Sequence, residues 1–179
     1  ADAANCRYQD VFIAGGANPA GQAAVHLSRG ARSVTMLVRG KSLQESMSYY
    51  LIQQLGRIDK ITVRTCTEIV DVHGDEHLEQ ITLRDSLTGD TETVSAGWLF
   101  VFIGARPRTD WLDGVVHRDS AGFVLAGPDL QTVGVRPPGW VLERHPFHLE
   151  PSVPGVFVAG AVRAESAKRV GAAGGQGAM

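Results

Sequence analysis

The stretch "VFIAGGANPAGQAAVHL", residues 11–27, constrains the fold more than any other part of the chain. Four apolar residues, Val11 to Ala14, end on Gly15 and Gly16, and a helix-compatible run with Ala20, Ala23, Ala24 and Leu27 follows. A strand, a glycine turn and a helix in immediate succession form the context that a dinucleotide fingerprint requires. In such a turn the first glycine takes a backbone angle closed to other residues, and the second lets the main chain approach a pyrophosphate. A small third residue lets helix pack on strand. Gly15, Ala17 and Ala20 take those slots, with Gly16, Asn18 and Pro19 between them. Ala17 adds a methyl group where a cofactor backbone comes closest, whereas Pro19 suits a first helical turn whose free amides can receive a phosphate. The same turn also joins strand to helix in α/β proteins that bind no nucleotide.

Beyond this helix, Ser33 to Arg39 alternates and is rich in β-formers, which predicts a second strand and a right-handed β-α-β unit. The tip of that strand reads Val38-Arg39-Gly40-Lys41. In a nucleotide-binding unit an acid here bonds the ribose of NAD, and a cation accepts the 2′-phosphate of NADP. Arg39 and Lys41, with no carboxylate beside them, favour NADP; otherwise they are solvated loop charges. Ser42 and Glu45 have the spacing of a capping box and open a helical rhythm at Leu43, Met47, Tyr50, Leu51 and Leu55. Residues 61–95 alternate in strands broken by Gly74 and Thr88-Gly89-Asp90, a β meander crossing the parallel sheet, and Cys66 reads as a small buried side chain in one of its strands. Trp98 to Gly104 reads as a strand buried on both faces. Val156 to Ala159 reads as a further strand ending on Gly160, with a last helical stretch after it.

The rest of the sequence mainly excludes. With 179 residues, 44% of them hydrophobic, and a net charge of −2 with both signs dispersed, the chain can build a core and lacks the basic field of a nucleic-acid binder. No apolar run reaches membrane-spanning length and residues 1–10 do not read as a signal peptide, so the expected location is the cytoplasm. Cys6 and Cys66 are too far apart for a redox dithiol motif. His117, His145 and His148 show no metal-ligand spacing and are expected at the surface.

Three separated motifs, "FIAGGANPAGQAAVHLSRGA…VTMLVRG", "FIGARPRTDWL" and "PSVPGVFVAGAVR…KRV…GGQGAM", closely resemble the FAD-dependent pyridine nucleotide-disulfide oxidoreductases, and among them the thioredoxin reductase-like group. The resemblance implies an α/β chain: a Rossmann-like NADPH-binding domain with a β meander over residues 1–108, then the C-terminal piece of an FAD-binding Rossmann-like domain over residues 109–179. The first flavin segment of that family has no counterpart here, which marks the chain as a fragment with that segment as its missing partner.

By resemblance, Gly15, Gly16, Ala17, Asn18, Pro19 and Ala20 cradle the NADPH phosphates and Arg39 holds the 2′-phosphate, with Lys41 the second cation read at that strand tip. Gly104 and Arg106 pass the nicotinamide half. Gly160 and Ala161 stand at the flavin ribityl chain, where the family carries Gly-Asp, and Lys168, Arg169 and Val170 stand where a helix N-terminus touches the flavin ring. Gln176 replaces the acid of several relatives. The dithiol that precedes the NADPH turn in thioredoxin reductases is absent, so the electron acceptor stays open. The implied reaction is hydride transfer from NADPH to FAD, with no catalytic side chain required of this chain and with room for a homodimer. A redox-inactive nucleotide-binding or scaffold module is the alternative.

Overall fold

Val11, Phe12 and Ile13 lie side by side in the first strand, β1 (Asp10–Ala14), and all three are buried. Side chains alternate across a strand, so β1 needs cover on both faces. The computed structural model, which describes residues 4–130 and 140–179, supplies both covers. β1 pairs in parallel with β2 (Ser33–Leu37) on one side and β7 (Trp98–Val101) on the other. With β3 (Ile61–Arg64) beyond β2, the order is β3-β2-β1-β7. On one face Val11, Ile13, Val34 and Met36 share a core with Ala20, Ala24 and Leu27 of α1 (Asn18–Leu27) and with Leu51 and Leu55 of α2 (Tyr49–Leu55). On the other, Phe12 and Leu37 pack with Ile81 and Leu83 of an antiparallel meander, β4 (Thr67–His73), β5 (Gln80–Asp85) and β6 (Thr91–Ser95). Each large apolar side chain buried in this way contributes about 1.5–3 kcal/mol, and the alternating apolar run is what enforces three layers. This is the α/β architecture expected from the sequence.

Tertiary contacts overrule several local expectations. The capping box at Ser42 and Glu45 does not form. Residues 42–48 make turns, and α2 starts only at Tyr49 with Ser48 as its N-cap. Ser46 Oγ donates to the Gly16 carbonyl at 2.9 Å, and the Ser48 amide donates to Asn18 Oδ1 at 2.8 Å, which ties this segment to the glycine turn. Leu43 and Met47 are buried in the helical-face core without helical backbone around them. Cys66 is buried but lies in the turn between β3 and β4, at φ +52°, rather than in a strand. β7 is an edge strand that stops at Val101. Val101 is 57% exposed and Ile103 69%, so the apolar run from Trp98 to Gly104 is not buried on both faces.

By contact density the chain divides into two units, Ala1–Gly104 and Ala105–Met179. Among its described residues the second has little regular structure of its own. It contains two short 3-10 turns, single bridges of Val124 to Arg118 and Arg163, and the helix α3 (Val170–Gly177). A buried carboxylate organises it. Glu150 is fully buried and accepts two bonds from Arg144, at 2.6 and 2.9 Å, plus the amides of Phe147 and Gly155. These donors pull its pKa down to about 2, the Arg144 bond most of all, against the opposing effect of burial. Residues 156–159 do not form the expected strand. Two isolated backbone bonds, Val156 to the Val153 carbonyl and Val158 to the Leu149 carbonyl, stand where a strand would need a ladder. Part of the glycine- and proline-rich stretch, residues 131–139, lies outside the described residues.

Candidate functional site

Sheet register sets the site. Ala14, the last residue of β1, pairs with Leu37 on one side and Val101 on the other, so three strands end flush. β2 and β3 extend the sheet on one side of β1 and β7 lies on the other, so the chain order reverses beside β1. Open α/β sheets bind ligands in the crevice at the carboxyl ends of strands at such a reversal. A cleft of about 450 Å³ opens there. Its walls are Gly15, Gly16 and Ala17 from the turn after β1, Val38, Arg39 and Gly40 past β2, Ser42, Glu45 and Ser46 from the following segment, and Phe102, Ile103 and Gly104 past β7.

The turn has the physical requirements of a close-approach loop. Gly15 sits at φ +145°, and a Cβ there would stand 2.6 Å from the Phe102 carbonyl oxygen, so only glycine fits. A Cβ on Gly16 would press on Val38 Cγ1 at 2.8 Å. Ala17 is the extended N-cap of α1, at φ −96° and ψ 174°, and offers no side-chain cap, so the first amides of the helix are left for solvent or a ligand. Pro19 falls in the first turn of α1, and Ala20 is wholly buried under the turn. The side chain of Asn18 is engaged as acceptor for Ser48.

Of the residues expected to hold a dinucleotide, the structure brings only part together in this cleft. Arg39 lines the cleft and also an adjoining, largely apolar hollow of about 420 Å³ with Leu37, Leu99, Val101 and Ile103. Lys41 is exposed and lines neither. Gly104 lines the cleft at φ +86°; Arg106 belongs to the second unit, where it lines a separate polar hollow with Asp110, Asp113 and Arg118. Glu45, Ser46 and Phe102 were not singled out by sequence as site residues. Nothing in local pattern distinguishes the Glu45 carboxylate from a helix-start acid, because its place in the cleft depends on the turns of residues 42–48.

In the second unit, the residues expected at a flavin site are engaged among themselves. The Gly160 amide donates to Gln176 Oε1 at 2.8 Å. Lys168 Nζ donates to the carbonyls of Ala161 and Arg163, each at 2.9 Å, and to Ser166 Oγ at 3.2 Å, and lies 3.8 Å from the centre of the Phe123 ring. Burial holds its pKa below the usual lysine range. Lys168, although exposed, thus stitches its own loop together. Arg169 is the N-cap of α3, and Val170, its first residue, is 92% exposed. Ala161 is exposed and has no carboxylate to offer.

His117, His145 and His148 are exposed, as expected, and no group of metal-ligating side chains occurs among the described residues. Both cysteines are buried, and neither is in a disulfide. No helix among the described residues is long and apolar enough to cross a membrane.

Known proteins resemble the chain along nearly all of its length. The sequence model of the pyridine nucleotide-disulphide oxidoreductases matches residues 2–177. Thioredoxin reductase of Streptomyces clavuligerus is 36% identical over 126 residues, 69% of this chain and 38% of that protein. Thioredoxin reductase of Neurospora crassa is 31% identical over 177 residues, 97% of this chain and 46% of that one. In three dimensions the chain superposes on Lactococcus lactis thioredoxin reductase in its FR conformation with a TM-score of 0.73 at 22% identity, covering 99% of this chain and 52% of the other. The chain therefore spans about half or less of the length of these relatives.

Proposed function

The chain belongs to the pyridine nucleotide-disulphide oxidoreductases, and on that premise we propose that its first unit binds NADPH as part of a thioredoxin reductase-like flavoprotein, its second unit being one piece of the flavin-binding domain. The observation that carries this reading is the cleft at the flush strand ends, where a glycine-only turn and an uncapped helix start meet Arg39.

These residues fit a dinucleotide. Gly15, Gly16 and Ala17 leave main chain rather than bulky side chains along one wall, and the start of α1 offers amides to the pyrophosphate. Arg39 supplies a permanent cation for the 2′-phosphate. Gly104, with nothing within 4 Å of where its Cβ would be, leaves the wall past β7 open for the nicotinamide half. A bound dinucleotide would supply a hydride, for which a flavin is the acceptor implied by kinship; the protein's part is position and electrostatics. The flavin-side residues fit less well. Ala161 lacks the family's acid, and the Lys168 ammonium and Gly160 amide are already bonded within the chain. The chain by itself therefore offers FAD few partners. The relatives named above are reductases, which favours an oxidoreductase over a redox-inactive module.

Calorimetric titration with NADPH and NADH tests the reading. Arg39→Ala is expected to weaken NADPH binding about tenfold, as loss of one charge-assisted contact in a partly exposed cleft would. Unchanged NADPH affinity in that variant would remove Arg39 from the site, and absence of any dinucleotide binding to the unmutated chain would remove the site itself.

A further inference from the structure

In the same cleft as the cation at the tip of β2, the fold places an acid that local sequence does not. Glu45 lies six residues beyond Arg39, past the point where a carboxylate at the strand tip would be sought. The turns of residues 42–48 fold it back, so that its Oε2 lies 3.5 Å from where a Cβ on Gly40 would stand, next to Arg39, and both side chains line one cleft. Among the described residues neither side chain is held in an ion pair, so both are available to a ligand.

We propose that Glu45 is a specificity-determining residue that opposes Arg39, so that the cleft takes the unphosphorylated adenosine ribose of NAD(H) as well as the 2′-phosphate of NADP(H). The inference rests on the dinucleotide reading of the cleft. Its physical basis is the choice made at the tip of the second strand, where an acid accepts a hydrogen bond from the ribose 2′-hydroxyl and a cation receives the 2′-phosphate. This chain carries both. A carboxylate repels the phosphate dianion over several ångströms, and in a wet cleft that repulsion amounts to roughly threefold to tenfold in affinity. The same carboxylate adds a charge-assisted bond to a free hydroxyl. Arg39 sets a preference for NADP(H), and Glu45 narrows it.

The test titrates the full chain, Glu45→Gln and Arg39→Ala with NADPH and with NADH by calorimetry, checking each variant by thermal unfolding; Glu45 is exposed, so its replacement is expected to leave stability unchanged. In the unmutated chain the two cofactors should differ in affinity by less than about thirtyfold. Glu45→Gln should tighten NADPH and weaken NADH, each about threefold or more, so that the two affinities move in opposite directions. Parallel changes, or no change, would overturn the role of Glu45 while leaving the site intact. Failure of all three proteins to bind either dinucleotide would instead overturn the dinucleotide reading and this inference with it.

Discussion

At the residue scale, Gly15 and Ala17 make opposite predictions although they stand two positions apart. Gly15 combines φ +145° with a Cβ position 2.6 Å from a backbone oxygen that cannot retreat without moving β7. Gly15→Ala is expected to destabilise the first unit by about 1–3 kcal/mol and to weaken NADPH binding, measured by urea unfolding and calorimetry. Ala17 has ordinary extended angles and a methyl group on the cleft wall. Ala17→Gly removes that methyl where a pyrophosphate would approach and places a residue better tolerated at an N-cap. Tighter NADPH binding without loss of stability is expected, and weaker or unchanged binding would show that the main chain is not approached at that point.

Among the elements, the glycine turn and the segment that follows β2 are one construction. Ser46 and Ser48 bond to Gly16 and Asn18, so the cleft's two walls hold each other, and α2 begins late because its first turn is used for this purpose. The second unit is held differently, through the Glu150 carboxylate and its four donor contacts. The folded pKa of Glu150, about 2, lies below its ordinary value of 4.5. Its contribution is therefore complete above about pH 4.5 and lost as pH falls through about 2. Acid titration followed by tryptophan fluorescence should show the environment of Trp140, on which Arg144 stacks, loosening in that window. Glu150→Gln should destabilise the unit by about 3 kcal/mol at neutral pH, because a buried charge network loses its centre. It should also remove most of the pH dependence between those limits, less the part due to Asp10, whose pKa of about 2 reflects its bonds to Arg32 and Ser33 in the first unit. A retained acid transition of full size would shift the cause away from Glu150.

On the scale of the whole molecule, the last helix of the second unit packs little of its surface. α3 has no buried residue, four of its eight residues are glycine, and none of those glycines has an atom within 4 Å of where a Cβ would be. A flavin site needs a pyrophosphate anchor at one helix start and a ribityl and ring anchor elsewhere. At the position proposed for the second, this chain has Ala161, and the Lys168 ammonium is already bonded to carbonyls of its own loop. Association also costs about 4–15 kcal/mol in lost freedom, which the remaining contacts do not offset. The chain incubated with excess FAD and then desalted should emerge without flavin absorbance. Stoichiometric flavin moving with the protein would show that the fold completes the site by itself or with a second copy.

The sequence by itself determined the order of elements in the first unit and the chemistry of the turn. An uninterrupted apolar run must alternate into two cores, and Pro19 suits the start of a helix, both of which follow from steric and burial rules acting within a few residues. Only the tertiary structure decided what stands opposite what. The segment of residues 42–48 carries the periodicity of a helix, yet hydrogen bonds to the glycine turn, thirty residues earlier in the chain, hold it in turns and bring Glu45 into the cleft. Lys168 is expected to contact a ligand, yet three carbonyl and hydroxyl oxygens of its own loop engage its ammonium. Local pattern fixes which faces must be buried; the partners that long polar side chains find are set by contacts that exist only once those faces have met.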